Sequence, residues 1–143
     1  MMWCVQMNKL YCLALVQRRD LASLRDLRQQ HLPLLRNVLH KGLDAIQQRF
    51  GVAAEEVVVF LHYLPSYYHL HVHFVHADAE PTHGTQAGKA HMLTDVISQI
   101  ETCGDFFERA TLACALGQND PLYAKLASGE IISKKARKLK AGV

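Results

Sequence analysis

The chain has 143 residues, 50% of them hydrophobic, 20% charged and 8% aromatic, with eight Gly and four Pro. That fits one domain with a core of its own and excludes disordered or collagen-like chains. The net charge is +3, but Lys134, Lys135, Arg137, Lys138 and Lys140 supply five positive charges close together, and +3 less five leaves −2 on the rest; the body is no basic nucleic-acid-binding domain.

Residues 1–127 therefore read as the domain and 128–143 as a basic C-terminal tail. The tail is either a solvated end or a patch for RNA steering or nuclear import. The longest apolar run, Leu10 to Val16, has seven residues, where a membrane helix needs ~20. Gln17-Arg18-Arg19-Asp20 follows it and offers no small-residue cleavage site, so neither a membrane span nor a secretory signal is expected. Cys4, Cys12, Cys103 and Cys114 form no C-x-x-C pair. Free thiols in a reducing compartment, cytoplasmic or nuclear, are the expectation.

In chain order, Leu10–Val16 reads as a buried strand. Ser23 and Asp26 are candidate caps before a long helix from about Gln29 to Phe50. Its apolar face runs Leu32, Leu35, Val38, Leu39, Gly42, Ile46, Phe50, with Pro33 in the first turn and Gly51 as the stop. Glu56–Tyr63 reads as a strand, Leu64-Pro65-Ser66 as a turn, and His69–His76 as the second strand of a hairpin. Ala77–Ala90 is a loop whose length suggests function. His91–Glu101 has helical periodicity, Ala110–Leu116 reads as a further strand, and Asp120-Pro121 opens a short terminal helix. The mixture predicts an α+β fold with an antiparallel sheet flanked by helices.

His69-Leu70-His71-Val72-His73-Phe74 carries the chemistry. Side chains alternate along a strand, so the three imidazoles share one face while Leu70, Val72 and Phe74 pack on the core. Packing does not call for three histidines in register. Two imidazoles at i and i+2 can ligate zinc. All three span about 13 Å at ~3.3 Å per residue, too far for one ion, and no carboxylate or Cys is placed to complete a site. The competing reading is phosphoryl chemistry: a neutral imidazole attacks phosphorus and its neighbours donate to the oxygens that gain charge.

His69-x-His71-x-His73 followed by Phe74-Val75 resembles the signature of the histidine triad (HIT) superfamily of nucleotidyl hydrolases and transferases. The longer string from Leu61 through His62, Tyr63-Leu64-Pro65-Ser66-Tyr67-Tyr68 to Phe74 is similar, nearly residue for residue, to the catalytic hairpin of scavenger mRNA decapping enzymes. Ser23-Leu24-Arg25-Asp26-Leu27, His31-Leu32-Pro33-Leu34-Leu35-Arg36-Asn37 and Asn119-Asp120-Pro121-Leu122 extend the likeness, which fades after about Ala127.

The resemblance implies the C-terminal half of a HIT-like fold, with 1–127 a catalytic domain lacking its upstream part. It implies His71 as nucleophile on the phosphate next to 7-methylguanosine in a capped dinucleotide or short capped RNA. A nucleotidyl-histidine forms, a diphosphate-ended nucleotide leaves, and water releases 7-methyl-GMP. His62, Ser66, His69 and His73 would contact phosphate oxygens. No metal or other cofactor is implied, and a homodimer is expected. The family's cap-stacking and base-reading residues lie upstream of the segment matched here; Trp3 resembles a Trp that follows them. Two other readings stand beside this one. The first is a less selective HIT hydrolase of dinucleoside polyphosphates or nucleoside phosphoramidates, the second a catalytically weak nucleotide-binding protein.

Overall fold

The computed structural model describes residues 7–114, 116–119 and 121–128; Trp3, Cys4, Asp120 and the basic residues beyond 128 lie outside them. The four strands are β1 (Tyr11–Leu15), β2 (Val57–His62), β3 (His71–His76) and β4 (Ala90–Met92). They form one antiparallel sheet in the order β1-β3-β2-β4. The helices are α1 (Leu32–Phe50), α2 (Leu93–Thr102), α3 (Phe106–Arg109) and α4 (Pro121–Ala127). The fold is α+β.

Alternation decides which face meets the helices. Val59, Leu61, Val72 and Phe74 join Leu35 and Ile46 of α1 and Val96 and Ile100 of α2 in one buried cluster. Helix α1 starts with Pro33 in its first turn, where a missing N–H costs nothing. It ends at Gly51, whose φ of 70° is left-handed and whose N–H reaches Gln47 O. Gly42 sits where the Phe74 ring closes on the helix: a Cβ there would lie 2.3 Å from Phe74 Cζ. The lack of a side chain lets α1 approach β3 closely.

Several expectations are corrected. Ser23 and Asp26 form a capping box, but on the 3-10 turn Leu24–Asp26 instead of α1; a second 3-10 turn, Gln29–His31, leads into the helix. Phe50, the last residue of α1, is 38% exposed and outside the core, at an open groove that it lines with Cys12, Ala14 and Phe74. His91 is in β4, paired with Leu61, and α2 begins only at Leu93. The free edge of β2 takes up Ala90–Met92 as a partner, and backbone pairing there overrides helical periodicity. Ala110–Leu116 forms no strand in its described part. Arg25 instead ties it down, donating to Phe107 O at 2.9 Å and Ala110 O at 2.6 Å, with Leu112 packed against the core. Strand β3 begins at His71, two residues later than expected, since Leu70 N–H turns away to Leu21 O.

The other face of the sheet has no helix on it among the described residues. Tyr11, Leu13 and Leu15 point there and are 56%, 48% and 61% exposed. Residues 77–90 fold back across part of this face, with a 3-10 turn at His83–Thr85.

Candidate active site

Strand register builds the site on that open face. Leu13 lies opposite His73 and Leu15 opposite His71 on one side, and Phe60 lies opposite His73 on the other. Residues paired across an antiparallel ladder share a face, so Tyr11, Leu13, Leu15, Phe60, His62, His71 and His73 stand together. The ring centroids of His62 and His73 are 4.0 Å apart and those of His71 and His73 5.0 Å. Phe60 stacks on His73 at 5.0 Å with 3° between planes. The three imidazoles thus form a close row backed by an apolar ring.

Backbone carbonyls assign most of the protons. A carbonyl only accepts, so an imidazole nitrogen bonded to one must carry the hydrogen, and in a neutral ring the other nitrogen keeps a lone pair. His71 Nδ1 donates to His69 O at 2.7 Å, which leaves Nε2 as the lone-pair nitrogen. His62 Nε2 donates to Gly84 O at 2.8 Å, and His69 Nε2 to Val16 O at 2.6 Å. His73 differs: its Nδ1 lies 2.6 Å from the Tyr11 hydroxyl, and its Nε2 is buried without a hydrogen-bond partner among the described residues.

Burial lowers the pKa of His73 and His62. His73 is 4% exposed; desolvation first, then the neighbouring His62 and His71, push its pKa down to about 4. His62 is lowered mainly by burial, opposed by its bond to Gly84 O and reinforced by the Lys89 and His71 charges. Burial also raises Tyr11 and keeps its phenol protonated. At neutral pH His73 is an uncharged ring.

The structure brings His62, His71 and His73 together, whereas the sequence alternation puts His69, His71 and His73 on one face. His69 stands apart, off the strand, with its side chain turned to Val16 O and its carbonyl supporting His71. Ser66 is exposed in the turn and lines a separate groove with Tyr68, Lys89 and Lys125. Sequence reasoning missed Tyr11, Phe60, Gly84 and Lys89. Tyr11 and Phe60 follow from strand parity once the register is known; no local signal marks Gly84. A cavity of about 300 Å³ opens beside the row, lined among others by Tyr11, Phe60, His62, His73, Glu80 and Thr82. No group of three or more His, Cys, Asp or Glu among the described residues is arranged to hold a metal ion.

Such a row can attack phosphorus and hold the displaced charge. Residues 5–88 match the family described as "Scavenger mRNA decapping enzyme C-term binding". The chain belongs to this family. It is 49% identical over 121 residues to the m7GpppX diphosphatase of Bos taurus, covering 85% of this chain and 36% of that protein. The Schizosaccharomyces pombe enzyme of the same name is 39% identical over 120 residues, covering 84% and 40%. The Caenorhabditis elegans one is 35% identical over 116, covering 81% and 37%. The chain thus spans well under half the length of these relatives. All residues of the row fall within the family match.

Proposed function

We propose that this chain hydrolyses the 5′-to-5′ triphosphate of capped mRNA remnants, m7GpppN, through a covalent nucleotidyl-histidine. The observation that carries the reading is the bond from His71 Nδ1 to His69 O, which leaves Nε2 free to attack. Nε2 bonds to the phosphorus next to 7-methylguanosine. The P–O bond to the following phosphate breaks, and its electrons leave on the diphosphate-ended nucleotide. His71 then carries a 7-methylguanylyl group, and the positive charge on its ring is stabilised by the His69 carbonyl. Water attacks the same phosphorus, the N–P bond breaks, and 7-methyl-GMP departs. Covalent catalysis of this kind divides one hard displacement into two easier ones.

The neighbours take different parts in this reading. His62 and His69 have their Nε2–H groups committed to carbonyls, so these N–H groups hold the frame and are not free to donate to a phosphate. His73 Nε2 is buried without a partner among the described residues and serves as donor to a phosphate oxygen. Lys89, whose charge acts on His62, supplies further attraction for the phosphates, whereas Ser66 faces the separate groove. The names of the relatives, m7GpppX diphosphatase, support the capped substrate. The exposed apolar side chains of the edge strand β1 support pairing into a homodimer.

Hydrolysis of m7GpppG in ¹⁸O-water tests the chemistry. The reading requires 7-methyl-GMP and GDP, with the label on 7-methyl-GMP alone. Label on the diphosphate, or 7-methyl-GDP with GMP, would place attack on another phosphorus.

A further inference from the structure

Four histidines near the site have ring nitrogens within hydrogen-bond distance of another group, and three of those groups are carbonyls. A carbonyl dictates the tautomer; a hydroxyl does not, because it can donate or accept. His73 is the ring whose partner is a hydroxyl. Its Nε2 is also one of two buried side-chain nitrogen or oxygen atoms without a partner among the described residues, the other being on His91.

The two directions of the Tyr11–His73 bond have opposite consequences. If the phenol donates, Nδ1 accepts and Nε2 carries the hydrogen into the row. If Nδ1 donates, Nε2 presents a lone pair where a phosphate oxygen would come, and two acceptors would face each other at close range. A buried, unpaired N–H is costly until an acceptor reaches it, and an anionic oxygen is the strongest acceptor available to it. The phenol is held protonated by its partial burial, and at 2.6 Å the O–H···N contact is short.

We propose that Tyr11 is a positioning residue for the reaction: its hydroxyl donates to His73 Nδ1 and holds His73 in the tautomer whose Nε2–H points at the substrate phosphates. This rests on the hydrolytic reading above, in which His73 is the donor and His71 the nucleophile. Phe60, stacked parallel on the same ring, fixes the plane of the imidazole, and Tyr11 fixes which edge carries the hydrogen. An edge-strand tyrosine, more than half exposed overall, thereby acts through a buried histidine.

Long-range ¹H–¹⁵N correlation spectra of the histidine-labelled chain test this without substrate, with His71 and His73 assigned from the His71→Asn and His73→Gln variants. The expected result at pH 7.5 is opposite tautomers on neighbouring rings, Nδ1–H on His71 and Nε2–H on His73. In Tyr11→Phe the His73 Nδ1 resonance should move to that of a nitrogen accepting no hydrogen bond. With m7GpppG, the same variant should lose about tenfold in kcat with KM within about twofold, less than the 10²–10³ lost with a whole donor. A wild-type His73 protonated at Nδ1, or a Tyr11→Phe variant with unchanged Nδ1 resonance and kcat, would overturn the inference alone. A His71 protonated at Nε2 would instead overturn the nucleophile, and with it the reading on which the inference rests.

Discussion

Replacing His73 with Phe should flatten the acid side of the stability profile. An unfolded histidine titrates near 6.5 and the folded His73 at about 4, so between those values the unfolded chain binds a proton that the folded chain refuses. Stability therefore falls as pH drops through this window and is restored above it. At about 1.4 kcal/mol per pH unit, the gap from 6.5 to about 4 is worth roughly 3 kcal/mol once both states are protonated. At pH 5 the folded ring is still mostly neutral, and about 2 kcal/mol of that has been lost. Phe keeps a flat ring against Phe60 and removes the titration. His31, His62 and His91 are also lowered by burial, but they remain in both proteins and largely cancel in the difference. Urea unfolding at pH 8 and pH 5 is the assay. The wild type should lose ~2 kcal/mol more than His73→Phe over that interval. Profiles parallel within about 0.5 kcal/mol would mean that His73 is hydrated in the folded protein and that its burial is wrong.

Gly42→Ala should destabilise the protein by ~1–3 kcal/mol through overpacking, because its Cβ would come within 2.3 Å of Phe74 Cζ. In a Phe74→Leu background the same change should turn favourable by up to ~1 kcal/mol, as helix propensity then prevails; stabilisation of the wild type in chemical denaturation would refute the close approach. His69→Gln should cost less than tenfold in turnover of m7GpppG, since the carbonyl that supports His71 belongs to the backbone. His73→Gln should cost about 10²–10³, and equal losses in the two variants would contradict the division of roles between them.

The alternation of His71, Val72, His73 and Phe74 was enough to place two imidazoles opposite the core, because strand geometry is local. The helical stripe from Leu32 to Ile46 was legible for the same reason, and Gly42 belonged to it for a contact visible only in three dimensions. The errors occur where distant chain segments decide. His91 looked helical until the free edge of β2 took it into β4. Ala110 looked like a strand residue until Arg25 claimed its carbonyl. Within the site, the sequence pointed to imidazoles but not to their protons. Those depend on Gly84 O, Val16 O and the Tyr11 hydroxyl, none of which is marked by a spacing. The sequence marks His62 and His69 as candidate phosphate contacts but does not show that their Nε2–H groups are engaged with the main chain.

The proposed hydrolysis requires a bond between His71 Nε2 and phosphorus. Turnover of m7GpppG, radiolabelled on the phosphate next to the methylated nucleoside, can be quenched in alkali within milliseconds and the protein digested for mass spectrometry. The label should sit on the peptide containing His71, be carried on that ring, and vanish with turnover in His71→Asn. Label on another residue, or a His71→Asn protein that keeps more than a few per cent of the activity, would contradict it.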